Sequence, residues 1–232
     1  MNSKAMTKEQ VAGMFDHTNL KPYAVHEDFE KLCTEAVEIH AAMVAINPVA
    51  VKLCKNLLAG TGIHVGAAIS FPLGQTTIAE KVEETKLAIA DGADEIDYVL
   101  NIGELLSGNH EYIKEEMEAI VTVCRSSKVI SKVIFENCYL TKEQIRKAAE
   151  IAKEVKPDYV KTSTGFGDSG AMVEDVRLMK QVVGDSVKVK AAGGIRDWKT
   201  CAAMIDAGAE RIGTSSCMEI LDGYEKEKHS AK

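Results

Sequence analysis

Eight short β-rich runs, separated by amphipathic helical stretches, constrain this chain more than any single motif does. They are FDHTNL (Phe15 to Leu20), MVAIN (Met43 to Asn47), IHVGAAIS (Ile63 to Ser70), EIDYVLN (Glu95 to Asn101), SKVIFEN (Ser131 to Asn137), YVKTST (Tyr159 to Thr164), VKVKAA (Val187 to Ala192) and RIGTSS (Arg211 to Ser216). Strand, helix, strand at roughly 20 to 35 residues per unit is the pattern of parallel βαβ units. Eight units predict an α/β chain folded as a (β/α)8 TIM barrel after a short N-terminal helix, and 232 residues suit that fold. A doubly wound open sheet is the alternative, but no G-x-G-x-x-G opens a helix early in the chain. Thr77-x-x-Glu80 and Thr141-x-x-Gln144 each fit a capping box at a helix start, and Asp91-Gly92 and Ala207-Gly208 supply helix stops. No linker is visible, so residues 1–232 read as one barrel domain, with 225–232 a mobile charged tail.

Composition narrows the function classes. Hydrophobic residues make up 46% and charged residues 27%, values of an ordinary globular protein rather than a disordered or fibrous one. A net charge of −7 argues against nucleic acid as a partner, while a local basic funnel for a small phosphorylated substrate is compatible with it. The six cysteines form no C-x-x-C pair and no zinc-type spacing, and read as reduced core thiols. The start, MNSKAMTKEQ, lacks the apolar core of a signal peptide, and no apolar run is long enough to span a bilayer. The expectation is a cytoplasmic protein without a membrane partner.

The chemistry is expected at the C-terminal ends of the strands, which line the active site of such a barrel. Lys161 in DYVKTSTGFG and Lys190 in VKVKAAGGIRD fall at the ends of the sixth and seventh strands, neighbours at about 4.8 Å. Alternation sends Val160 and Val189 to the outer face and both lysines inward. Two ammonium groups in one poorly solvated cavity disfavour each other's charge, so one amine becomes neutral and nucleophilic toward carbonyls. A phosphate clamp is the competing reading of the same pair.

Imine chemistry also needs a proton carrier. Asp97 shares its strand face with Glu95, Val99 and Asn101 and would face the lysine pair as general acid and base; alternatively it is a structural partner for a buried lysine such as Lys132. Asp16 and Glu136 are further inward polar groups, read as hydrogen-bond organisers. Gly165, the Gly193-Gly194 pair and Gly213-Thr214-Ser215-Ser216 end strands six, seven and eight. Glycine admits close backbone approach, and the loops after strands seven and eight are the usual barrel phosphate site.

Taken together, DHTNLK, EIDYVLNIG, KVIFENCYL, VKTSTGF, VKAAGGIRD and RIGTSS, in this order over nearly the whole chain, resemble the deoxyribose-phosphate aldolases, class I aldolases of the (β/α)8 fold. The resemblance implies reversible cleavage of 2-deoxy-D-ribose 5-phosphate to D-glyceraldehyde 3-phosphate and acetaldehyde, in deoxyribonucleoside catabolism. By motif, Lys161 would form the Schiff base, Lys190 would lower its pKa, and Asp97 would relay protons. Lys132 would pair near Asp97 and counts with the substrate-binding set, in which Asp16 and Thr164 hold hydroxyls. Gly165, Gly193, Gly194, Gly213, Ser215 and Ser216 would cradle the 5-phosphate. No metal or organic cofactor is implied, and the helix faces leave room for a homo-oligomer.

Two departures stand out. Some members end in a tyrosine that assists proton transfer, whereas this chain ends GYEKEKHSAK, with Tyr224 well before the terminus; Ala45 stands where many members carry a cysteine. The rival functions are another phosphosugar aldolase or isomerase, or a non-catalytic phosphosugar-binding barrel. An isomerase has no use for adjacent ammonium groups, and a binding barrel could lose Lys161 or Asp97.

Overall fold

Each of the eight β-rich runs forms a strand. The structure, a computed structural model, describes residues 2–230. Eight parallel strands close into one barrel in chain order: β1 (Phe15–Asn19), β2 (Met43–Ile46), β3 (His64–Ile69), β4 (Glu95–Val99), β5 (Ile130–Ile134), β6 (Tyr159–Lys161), β7 (Lys188–Ala192) and β8 (Arg211–Thr214). The short helix α1 (Lys8–Ala12) precedes β1, as expected. The crossovers carry α2 (His26–Ile39), α3 (Val51–Leu57), α4 (Ile78–Ala90), α5 (Ile102–Leu106) with α6 (His110–Ser126), α7 (Lys142–Val155), α8 (Val173–Val183) and α9 (Trp198–Asp206), and α10 (Cys217–Ser230) follows β8.

Helix starts follow the local signals. Thr77 accepts from the Glu80 amide while the Glu80 carboxylate accepts from Thr77 N–H, and Thr141 and Gln144 repeat the exchange at α7. Each box satisfies amides that have no partner inside the helix. The charged segment read as a mobile tail continues α10 to Ser230, tied back to the N-terminus by Lys8 with Glu225 at 2.5 Å and by Lys228 Nζ donating to the Lys4 carbonyl at 2.7 Å. The rest of that segment, residues 231–232, lies outside the described residues.

Strand alternation divides the barrel wall into two chemistries. Val44, Val65, Ile96, Val133, Val160, Val189 and Ile212 face outward into one apolar cluster shared with the helices, each contributing about 1.5–3 kcal/mol by full burial. The inward positions carry instead Asp16, Glu95, Asp97, Lys132, Lys161, Lys190 and Arg211, all buried. Two glycines make room among them. A Cβ on Gly66 would sit 2.3 Å from Met43 Sδ, and one on Gly213 would meet Lys190 Cε at 3.1 Å. Five of the six cysteines are buried and Cys138 is half-buried.

Candidate active site

β6 and β7 pair with Lys161 directly opposite Lys190, and β4 and β5 pair with Asp97 opposite Lys132. Register therefore brings the two lysines together, and the curvature of the barrel brings Asp97 to both. Asp97 Oδ2 accepts from Lys161 Nζ at 2.8 Å and from Lys190 Nζ at 2.6 Å, while its Oδ1 accepts from Lys132 Nζ at 2.6 Å. Asp97 is thus the structural partner of Lys132 and, through its other oxygen, faces the lysine pair, where a general acid and base would have to act.

Beneath this triad lies a second tier of charge. Asp16 accepts from Arg211 Nη1 at 2.7 Å through one oxygen and pairs with Lys190 through the other; Glu95 pairs with Lys132 and accepts from Arg211 Nη2 at 3.3 Å. His64 Nδ1 contacts Glu95 Oε1 at 2.8 Å from the N-terminal end of β3. The four cations Lys132, Lys161, Lys190 and Arg211 share the interior with the three carboxylates Asp16, Glu95 and Asp97. A neutral Lys161 leaves these seven groups balanced. A charged Lys161 leaves one positive charge in surplus, which a medium of low dielectric disfavours.

The direction of each pKa agrees. Burial is the largest cause lowering the Lys161 amine, the Lys190 and Lys132 ammonium groups add to it, and Asp97 opposes them; the net value is about 8, against 10.5 ordinarily. Both parts of the expectation, poor solvation and a cationic neighbour, act in the same direction, and desolvation weighs more. Burial pushes Asp97 up, but the three lysines outweigh it and hold the carboxyl well below the usual range. Lys132 rises in spite of burial, because Asp97, Glu95 and Asp16 surround it. It stays charged.

Above the lysines a cavity of about 400 Å3 opens at the C-terminal ends of the strands. Lys161, Thr164, Gly165, Gly193, Gly194, Gly213 and Ser215 line it, together with Lys21 and Arg196. Three expected substrate-binding residues stand elsewhere. Asp16 and Lys132 are sealed beneath the site with their charges engaged by other buried groups. Ser216 is off the cavity wall, its amide donating to Thr214 Oγ1 at 3.0 Å. Gly193 and Gly194 adopt φ of +87° and +75°, the left-handed region open to glycine. Gly193 and Gly170 also pack backbone to backbone: a Cβ on Gly193 would lie 3.0 Å from Gly170 Cα, and one on Gly170 would lie 2.1 Å from the Gly193 carbonyl oxygen.

Glu136 organises the rim, as its inward position suggests. Its backbone is left-handed at φ +56°, and its carboxylate accepts from the Thr164 amide at 3.1 Å and from the Thr164 hydroxyl. The Thr164 hydroxyl oxygen in turn accepts from Phe166 N–H at 3.0 Å. Besides Lys21 and Arg196, two further contributors escaped the sequence reading, Arg211 and Gly170. Arg211 sits two residues before Gly213, so alternation alone would have turned it inward; Gly170 carries no local signal, because its role depends on a loop 23 residues later.

Known proteins resemble this chain over most of its length. Residues 7–221 match the family model described as DeoC/LacD family aldolase. A deoxyribose-phosphate aldolase of Lactobacillus acidophilus is 58% identical over 92% of this chain and 90% of its own length. One from Bacteroides thetaiotaomicron is 53% identical over 96% of this chain and 94% of its own. Among solved structures, the tetrameric deoxyribose phosphate aldolase from Aeropyrum pernix superposes with a TM-score of 0.88 at 29% identity, over 95% of this chain and 93% of that one.

Proposed function

The chain belongs to the DeoC/LacD aldolase family, and we propose that it reversibly cleaves 2-deoxy-D-ribose 5-phosphate to D-glyceraldehyde 3-phosphate and acetaldehyde through an imine on Lys161. The observation that carries the reading is the sharing of one Asp97 oxygen by two buried lysines, one of which borders the cavity.

The neutral Lys161 amine attacks C1 of the open-chain sugar to give a carbinolamine, which loses water to form an iminium. The C2–C3 bond then breaks. Its electrons pass to the iminium, leaving an enamine on Lys161, while the C3 hydroxyl gives up its proton and departs as the aldehyde of D-glyceraldehyde 3-phosphate. Protonation of the enamine at C2 and hydrolysis release acetaldehyde and restore the amine. The iminium accepts the electrons, so no metal or organic cofactor enters the reading.

Asp97 serves as proton carrier because its basicity is tied to the state of Lys161. Three ammonium neighbours make it a poor base; when Lys161 loses its charge, one of the three is gone, and the carboxylate gains proton affinity as the carbinolamine forms. Lys190 stays bound to Asp16 and Asp97 and keeps Lys161 from reclaiming its proton. Gly165, Gly193, Gly194, Gly213 and Ser215 offer backbone amides and a hydroxyl to the 5-phosphate, with Arg196 and Lys21 supplying charge nearby. Asp16, Lys132 and Ser216 act here as supports of that site, and Thr164, held by Glu136, faces the sugar.

The same reading places the chain in deoxyribonucleoside catabolism in the cytoplasm. Among the described residues no helix is long and apolar enough to cross a membrane. A homo-oligomer is proposed by analogy with the tetrameric relative.

The test is borohydride reduction with dilute acetaldehyde, followed by peptide mass mapping. One ethyl adduct at Lys161, blocked by 2-deoxyribose 5-phosphate and absent in Lys161→Ala, supports the imine. Slow ethylation scattered over surface lysines and indifferent to the sugar phosphate would leave the lysine pair as a phosphate clamp.

A further inference from the structure

Phe71 follows β3 and Phe166 follows β6, three strands apart around the barrel, yet their rings meet edge to face with centroids 5.4 Å apart and planes at 90°. That geometry is a favoured aromatic contact. Both rings hang from tied loops. On the β3 side, Ser70 N–H donates to Glu84 Oε2 at 2.8 Å, the Ser70 and Thr76 hydroxyls lie 2.6 Å apart, and Gly74 N–H returns to the Ser70 carbonyl at 2.8 Å. On the β6 side, Phe166 N–H is held by Thr164, itself held by Glu136. The contact therefore bridges the loops that follow β3 and β6 at the C-terminal mouth of the barrel.

The shape of the cavity reflects this bridge. Its lining comes from β1, α2 and the ends of β6, β7 and β8, and Phe166 is part of it; nothing from β2, β3, β4 or β5 reaches it. The anion-binding loops after β7 and β8 lie to one side of Lys161. On its other side Lys161 meets Asp97 from β4, and Phe166 lines the same cavity as Lys161. A substrate held by its phosphate at the first side and by its C1 at Lys161 presents its two-carbon donor end to the second. We propose that Phe71 and Phe166 together form an apolar wall that limits the donor aldehyde to two carbons, with Phe71 acting through Phe166 as its positioning residue. This rests on the imine reading above.

A donor one methyl larger, propanal, places that methyl on the enamine carbon and against the wall. A single methylene in an apolar pocket discriminates by roughly 10- to 200-fold. The experiment measures kcat/KM for propanal and for acetaldehyde as donors to D-glyceraldehyde 3-phosphate, in wild type, Phe71→Ala, Phe166→Ala and the double variant. The propanal-to-acetaldehyde ratio should rise about 10-fold or more in each single variant, and the double should add little, since the two rings act as one wall. KM for the sugar phosphate in the cleavage direction should stay within about twofold in Phe71→Ala, whose ring does not line the cavity. Phe166→Leu keeps the apolar cover at a half-exposed position and serves if the alanine variants fold poorly; its ratio should rise about threefold or more. An unchanged ratio in any folded variant that still traps acetaldehyde at Lys161 overturns the wall. A wild-type chain that traps nothing at Lys161 removes the imine reading and this proposal with it, an outcome distinct from the first.

Discussion

Lys161 and Lys190 stand opposite each other in the β6–β7 ladder and donate to the same oxygen of Asp97, at 2.8 Å and 2.6 Å. A single carboxylate oxygen thus joins the proposed nucleophile to its cationic neighbour. Changing any one of the three groups alters the charge felt by the other two, and four predictions follow from the resulting balance and its surroundings.

Activity is expected to rise with pH through an apparent pKa of about 8, where Lys161 loses its proton. The folded value lies below that of a free lysine, so between about pH 8 and 10.5 the unfolded chain binds more protons here than the folded one, and this group's contribution to stability increases as pH rises. In Lys190→Leu, Asp97 and Asp16 face one cation fewer and hold the Lys161 proton more tightly. The rising limb of kcat/KM should move to higher pH, with borohydride trapping slow at pH 7 and partly restored above pH 9; an unmoved limb would disconnect the two lysines.

Asp97→Asn leaves Lys132, Lys161 and Lys190 without their common anion. Removing one partner of a buried ion pair costs about 3–5 kcal/mol, which urea denaturation should register as a lower midpoint. The proton carrier is lost as well, so carbinolamine dehydration and enamine protonation slow together. Deuterium uptake into the acetaldehyde methyl should fall at least as far as sugar cleavage does.

Gly194→Ala tests the anion loop. The position has φ +75° with no atom within 4 Å of an added Cβ, so the substitution is strained by backbone conformation alone, at a cost of about 1–2 kcal/mol. The loop should shift to relieve this, raising KM for 2-deoxyribose 5-phosphate several-fold. Turnover of unphosphorylated 2-deoxyribose should change by less than twofold. Equal losses on both substrates would place the phosphate elsewhere.

A buried pair outside the site offers a stability test. Lys81 Nζ donates to Glu116 Oε1 at 2.5 Å and to the Val99 carbonyl at 2.7 Å, and Glu116 Oε2 accepts from Asn101 N–H at 3.0 Å. Burial lowers the pKa of Lys81 and raises that of Glu116, so each charge depends on the other. Lys81→Met strands the carboxylate and should cost about 3–5 kcal/mol. Adding Glu116→Gln, which still accepts from Asn101, should recover part of the loss in equilibrium denaturation; a further loss would show that the stranded charge is not its cause.

What the sequence by itself determined is what repeats over short range. Period-two alternation turned Lys161, Lys190 and Asp97 inward and Val160 and Val189 outward, and the Thr77 and Thr141 boxes marked helix starts, because a strand's faces and a helix's first amides depend on residues only a few positions apart. Only the tertiary structure decided what the inward groups meet. Asp16 and Lys132, read as substrate contacts, lie under the site because Arg211, Lys190, Glu95 and Asp97 converge on them from other strands. Gly213, read as a phosphate contact, also clears the path of Lys190, and Phe71 reaches Phe166 across 95 residues of chain. Closure of the barrel sets those distances, and a closed ring of eight strands brings together side chains that no local pattern relates.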